Sequence, residues 1–163
     1  MSNSVNFLPG QFIPKDLPKR RDIVFVGEKP SLYFVRHPEE RWKGNYNATR
    51  TDCIFQAWIR KHLNHGVYVT DMVKTEGRAG AIFEREWKKN PKFSLILLKE
   101  LEKIKPKIIV AISKKTYRLF REDRRLLWWR NKVRYIYHPA YAVRYRKFSA
   151  WATQFRKIRK ELK

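Results

Sequence analysis

Apolar residues fall into two alternating patterns along this chain, and the alternation predicts its architecture. Ile23-Val24-Phe25-Val26 is a continuous, largely β-branched run that closes at Gly27, as expected of a strand buried on both faces. Val67-Tyr68-Val69-Thr70, residues 107–112 and residues 133–137 repeat that pattern. Between the runs the apolar spacing becomes helical. Ile54, Phe55, Trp58, Ile59 and His62 or Leu63 share one face, with Thr51 or Asp52 as the cap. A short helical piece is expected over 81–88. Another helix is expected from Ser94 through Leu95, Leu98, Leu101 and Ile104, stopping before Pro106. Ser113 can cap a helix over 114–120, and a last basic helix is expected over about 145–162.

Strands alternating with helices imply right-handed crossovers and a parallel sheet covered on both faces. The expected fold is therefore α/β: a three-layer αβα sandwich around a four-stranded parallel sheet. Residues 1–21 hold Pro9, Gly10, Pro14 and Pro18 without periodicity and read as an irregular arm. Residues 22–163 read as one domain. Residues 27–50 form a long polar stretch, and loops of that length in compact domains are usually functional. Ligands of such sheets bind beyond the carboxyl ends of the strands. Those ends deliver Gly27-Glu28-Lys29-Pro30, Thr70-Asp71, Ser113 and His138-Pro139.

Charge narrows the partner. Lys and Arg total 38 against 15 Asp and Glu, a formal net charge of +23. Such an excess repels itself and is useful against a polyanion. Aromatic residues make up 15% and are interleaved with the cations, which supplies rings for bases and charges for phosphates. Solubility or heat adaptation is the plain alternative, although heat adaptation usually adds Glu along with Lys. No apolar run is long enough to span a bilayer, and the first residues lack the apolar core of a signal peptide. The expectation is a monomer in the cytoplasm, on DNA and off membranes. The one cysteine, Cys53, excludes a disulfide framework and any all-cysteine cluster; its apolar neighbours suggest a buried small hydrophobe. His37, His62, His65 and His138 have no metal-site spacing with Cys53, so no metal or cofactor is expected.

Four segments carry a resemblance. Val24-Phe25-Val26-Gly27-Glu28-Lys29-Pro30-Ser31 resembles the first motif of uracil-DNA glycosylases, a strand followed by Gly-Glu-x-Pro-Gly or a relative. Val67 to Lys74 resembles their second-strand motif ending Thr-Asn-x-Val-Lys. Residues 98–112 resemble the helix–strand pair of the thermophilic members. His138-Pro139-Ala140-Tyr141 resembles their His-Pro-Ser motif. The match runs in order over about residues 22–160, and it is nearest the thermophilic Gly-Glu-x-Pro type without the iron–sulfur cysteines.

The resemblance implies hydrolysis of the bond between a flipped-out base and its deoxyribose. It implies that His138 donates a hydrogen bond to the leaving base and that Glu28 positions water, the two catalytic candidates. The plain reading of His138 is a strand-end histidine bonded to backbone. Asp71, Pro30, Tyr33, Phe34 and Tyr46 are the base-binding candidates, the three rings as stacking partners. Lys29, Ser31, Lys74, Ser113, Tyr141, Arg144 and Arg146 are the DNA-binding candidates, Tyr141 or Arg144 filling the space the base vacates. The cations of the last helix offer a phosphate-binding face or simply a solvated one.

Two positions depart from the family pattern. Lys29 stands where many members have Asp or Asn; a phosphate contact, neutralisation of Glu28 and attack on the sugar as an amine are all open to it. Asp71 stands where Asn usually reads uracil. An ionised carboxylate only accepts hydrogen bonds, so it suits a base edge carrying N–H donors; the plain alternative is a cap on the next segment. A non-catalytic nucleic-acid binder with the same fold is the competing function. An unrelated nucleotide enzyme is a third, but Gly27 stands alone, without a Gly-rich phosphate loop.

Overall fold

A computed structural model describes residues 22–29, 50–63, 67–74 and 81–163. Four strands, β1 (Ile23–Gly27), β2 (Tyr68–Asp71), β3 (Ile108–Ile112) and β4 (Val133–Ile136), form one sheet in the order β2-β1-β3-β4. All three pairings are parallel, with Val24 opposite Tyr68 and Ile109, and Ile109 opposite Val133. Every residue of β1 and of β3 is buried, as their unbroken apolar runs require of central strands.

Helices α1 (Arg50–Leu63), α5 (Pro139–Arg144) and α6 (Phe148–Glu161) cover one face; α2 (Ala81–Lys89), α3 (Pro91–Ile104) and α4 (Lys114–Glu122) cover the other. The side chains of β1 alternate between these layers. Ile23 and Phe25 meet Phe55, Trp151 and Phe155, while Val24 and Val26 meet Phe83, Leu97 and Leu101. Phe25 lies edge-on to Phe55 at 5.8 Å, and Phe55 packs on Trp151 at 5.8 Å. His62 stacks between Trp58 at 5.0 Å and Phe155 at 5.4 Å, which makes it part of the packing at the end of α1. The three-layer αβα architecture is the one expected.

Several local expectations are corrected. Helix α3 begins at Pro91, not Ser94: Asn90 caps it by accepting from the Lys92 N–H, and proline suits a first helical position. Ser94 is buried and donates to the Pro91 carbonyl. Asp52 lies in the first turn of α1 rather than at its cap. Cys53 is exposed. It sits two positions from buried Phe55, about 200° around a helix with 3.6 residues per turn, and so points away from the sheet. A nine-residue 3-10 helix (Arg124–Lys132) precedes β4, capped by Asp123.

The expected last helix begins at Phe148 rather than about residue 145, and a separate short helix, α5, comes before it. Between them Lys147 N–H bonds the Ala142 carbonyl at 2.9 Å and Arg146 N–H bonds the Val143 carbonyl at 3.3 Å, with Arg146 at φ 51°. That paired closure is the Schellman motif, in which the left-handed position is usually glycine. Among the described residues no helix is long and apolar enough to cross a membrane. The expected arm over residues 1–21 and most of the long stretch after Gly27 lie outside the described residues.

Candidate active site

The carboxyl ends of the four strands converge on one edge of the sheet. Beyond β1, the Gly27 and Glu28 carbonyls each accept a backbone bond at 3.0 Å, from Met72 and Val73 respectively. The chain leaving β2 is thereby fastened beside the chain leaving β1. Glu28 then reaches across to β3, where its Oε1 accepts a hydrogen bond from Ser113 Oγ at 3.2 Å.

Ser113 is a junction. Its N–H bonds the Ile136 carbonyl of β4 at 3.0 Å, and its Oγ accepts from the Thr116 N–H at 3.1 Å, capping α4. Its backbone sits at φ 121°, ψ 156°, a region occupied essentially by glycine and costing a side-chain-bearing residue about 1–3 kcal/mol. The strained turn puts the hydroxyl between Glu28 and the first turn of α4. The helix N-terminus beside it also favours a carboxylate.

His138 follows β4 directly and caps α5, with Pro139 at the first helical position. Its Nδ1 accepts from the Ala140 N–H at 3.2 Å, which leaves Nε2 as the protonated nitrogen of the neutral ring. Burial lowers its pKa below the usual 6.5, and the negative charges of Glu28 and Asp52 oppose that shift. Glu28 after β1, Asp52 on α1 and His138 after β4 therefore share one electrostatic neighbourhood. The backbone bond of the plain reading is present; it also orients the ring and fixes its tautomer.

Asp71, the last residue of β2, is buried and pairs in register with Gly27, one residue before Glu28. Beneath it lies a polar cluster that sequence reasoning missed. Glu100 of α3 accepts from Tyr68 Oη at 3.4 Å, from Thr70 Oγ1 at 3.0 Å and from Lys74 Nζ at 2.7 Å, and Lys74 Nζ also donates to Thr70 Oγ1 at 2.6 Å. Burial, with the Glu100 charge beside it, pushes the Tyr68 phenol well above its ordinary pKa. Lys74 is consequently corrected from a DNA contact to a buried ion pair, only 9% of its side chain being exposed. Its charge is matched inside the protein because a bare buried ammonium is costly.

Lys29 is also buried, and its Nζ donates to Glu86 Oε2 of α2 at 2.6 Å. A phosphate or a sugar would have to compete with that carboxylate for the amine. After His138 along the chain, Tyr141, Arg144 and Arg146 are all exposed. Tyr141 packs between Tyr137, at 5.3 Å between ring centroids, and Tyr145 at 4.8 Å. Pro30, Ser31, Tyr33, Phe34 and Tyr46 lie outside the described residues.

The structure thus brings Glu28, Ser113 and His138 together and sets Asp71 at the neighbouring strand end. Asp52, Glu86, Glu100 and Tyr145 were not singled out as site residues. Only Asp52 left a sequence signal, an acid in a first helical turn that faces the strand ends. Chemically, the edge offers a carboxylate that can hold water and a neutral imidazole N–H that can meet developing negative charge. A comparison with curated proteins returns no match. The family model described as the uracil DNA glycosylase superfamily matches residues 14–163. With the parallel sheet of order β2-β1-β3-β4 and a match over nearly the whole chain, this protein belongs to the uracil DNA glycosylase superfamily.

Proposed function

We propose that the chain is a monofunctional DNA glycosylase that flips a damaged or deaminated base out of its strand and hydrolyses the N-glycosidic bond. What carries the reading is the Glu28–Ser113 hydrogen bond together with the reach of the Glu28 charge to His138. These join three strand ends into one place where water and a leaving base can meet.

In this mechanism Glu28 holds the attacking water and takes its proton. The C–N bond breaks, the sugar carbon gains the water oxygen, and the base departs with the bonding electron pair. The Nε2–H of His138 donates to the base oxygen as negative charge develops there. Asp71 accepts from an N–H on the base edge, which favours a base carrying such donors over uracil. Tyr33, Phe34 or Tyr46 stacks on the flipped ring, with Pro30 as a further base contact and Ser31 as a DNA contact. Tyr141 fills the gap left in the strand, and Arg144 and Arg146 meet phosphates. Of the roles open to Lys29, balancing Glu28 and Glu86 from its buried position fits best. The thermophilic Gly-Glu-x-Pro type is the nearest subgroup on motif grounds.

The test is base release from oligonucleotides each carrying one uracil, hypoxanthine, xanthine or cytosine, scored as strand cleavage after alkali. Wild type is expected to release at least one of these bases, and Asp71→Asn to shift the preference toward uracil. No release from any substrate favours the competing reading, a non-catalytic binder, which the departures at Lys29, Asp71 and Ala140 would then explain. A covalent adduct trapped by borohydride on abasic DNA would restore the amine role of Lys29.

A further inference from the structure

We propose that the outer edge of the sheet carries a track for single-stranded DNA, leading from the rim of the active site along β4 to α4. The inference rests on the reading of the chain as a protein that acts on DNA. Five tyrosines form an unbroken series of ring contacts. Tyr145 meets Tyr141 at 4.8 Å, Tyr141 meets Tyr137 at 5.3 Å, Tyr137 meets Tyr135 at 6.3 Å, and Tyr135 meets Tyr117 of α4 at 5.4 Å. One helical turn further on, the Arg121 guanidinium lies over the Tyr117 ring at 5.3 Å and donates to its hydroxyl at 2.7 Å.

The series ends in a hollow of about 430 Å³ lined by Tyr117, Arg118, Arg121, Glu122 and Arg130. Three guanidinium groups there face one carboxylate. Arg118 is paired with Glu84, whereas neither Arg121 nor Arg130 has a carboxylate partner among the described residues, and Arg130 Nε is buried without a hydrogen bond. The hollow therefore carries an unbalanced positive charge, which suits a phosphate.

Three features favour a single strand as the occupant. First, β4 is the terminal strand of the sheet, so no further strand among the described residues covers this edge. Second, the rings become more exposed along the series: Tyr117, Tyr135 and Tyr137 are half-buried, while Tyr141 is 43% and Tyr145 55% exposed. Third, rings and cations in one strip match the stacked bases and phosphates of an unpaired strand, whereas duplex bases stay inside their own stack and cannot lie on tyrosines. Tyr137, the middle ring of the strip, immediately precedes His138, so a strand held at the site can pass directly onto it.

The experiment is fluorescence anisotropy of labelled, undamaged oligothymidylates of increasing length, and of a duplex of equal length, with the full chain. We expect the single strand to bind more tightly than the duplex. We expect Tyr145→Ala and Arg121→Ala, at opposite ends of the strip, each to weaken single-strand binding roughly fivefold or more, the loss of one stacked base or one phosphate contact. Arg121→Ala should also lower the salt dependence of binding, and Arg121→Lys should restore it. Duplex bound as tightly as single strand, or both alanine variants binding like wild type, overturns the track. The probe holds no damaged base, so the result is read independently of base release: a chain that releases nothing yet binds through Tyr145 and Arg121 supports the track and refutes only the glycosylase reading.

Discussion

Ser113 and His138 make opposite use of their backbones, and each use has a measurable consequence. Ser113 holds a glycine-type conformation while spending its hydroxyl on the α4 cap and on Glu28. Ser113→Ala keeps the strain and removes the cap, and we expect it to cost about 1 kcal/mol in denaturant unfolding. Ser113→Gly relieves about 1–3 kcal/mol of strain and loses only a few tenths at the cap, so it should be at least as stable as wild type. Both should slow base release, because both delete the hydrogen bond that fixes Glu28. His138 instead takes a backbone N–H on Nδ1, and nitrogen NMR should find the neutral ring protonated at Nε2. Its pKa is lowered, as is that of His62, where burial acts first and the charges of Lys61, Arg159 and Arg156 add. Below pH 6.5 the unfolded chain binds protons at these histidines that the folded chain refuses. Stability should therefore be complete above about pH 6.5 and fall as pH drops from there toward the lowered values. Base release should persist below pH 6.5 and fall once His138 is protonated, because Nδ1 can then no longer accept from the Ala140 N–H that orients the ring.

At the scale of elements, the end of β2 is set by the ion pair beneath it. Lys74→Met leaves the Glu100 carboxylate buried without its cation, and the expected cost is about 3–5 kcal/mol in denaturant unfolding. Replacing the pair together, as Lys74→Met with Glu100→Leu, should cost less than the single change; a larger loss would mean that the pair is a net source of stability. The same pair shows what the sequence could not reveal. In a chain so rich in lysine, the buried ion pairs of Lys74 and Lys29 left no local signal, because their partners Glu100 and Glu86 lie 26 and 57 residues away. Strand positions were legible because burial on both faces demands continuous apolar runs, as in Ile23–Gly27 and Ile108–Ile112. The grouping of site candidates was legible for a related reason: strand ends in a parallel sheet share one edge, so Glu28, Asp71, Ser113 and His138 could be grouped before any contact was known. The break between α5 and α6 was not, since its left-handed residue is Arg146 and no glycine marks it. The exposure of Cys53 depended on the phase of α1, which its apolar neighbour Ile54 concealed.

For the whole molecule, a net charge of +23 on 163 residues should make nucleic-acid binding strongly dependent on salt. The logarithm of the association constant should fall linearly with the logarithm of salt concentration, by about 0.7 for each phosphate neutralised on a single strand. A shallow slope would leave the charge as a surface adaptation only. Two helical layers cover the faces of the sheet, and the carboxyl ends of its strands lie along one edge. The most direct measurement is base release under single-turnover conditions by wild type, Glu28→Gln and His138→Ala, on the best substrate of the damaged-base panel. If Glu28 and His138 act together on an extruded base, wild type releases it, and each variant slows release by about a hundredfold or more while remaining folded. Release by both folded variants at the wild-type rate would contradict the account.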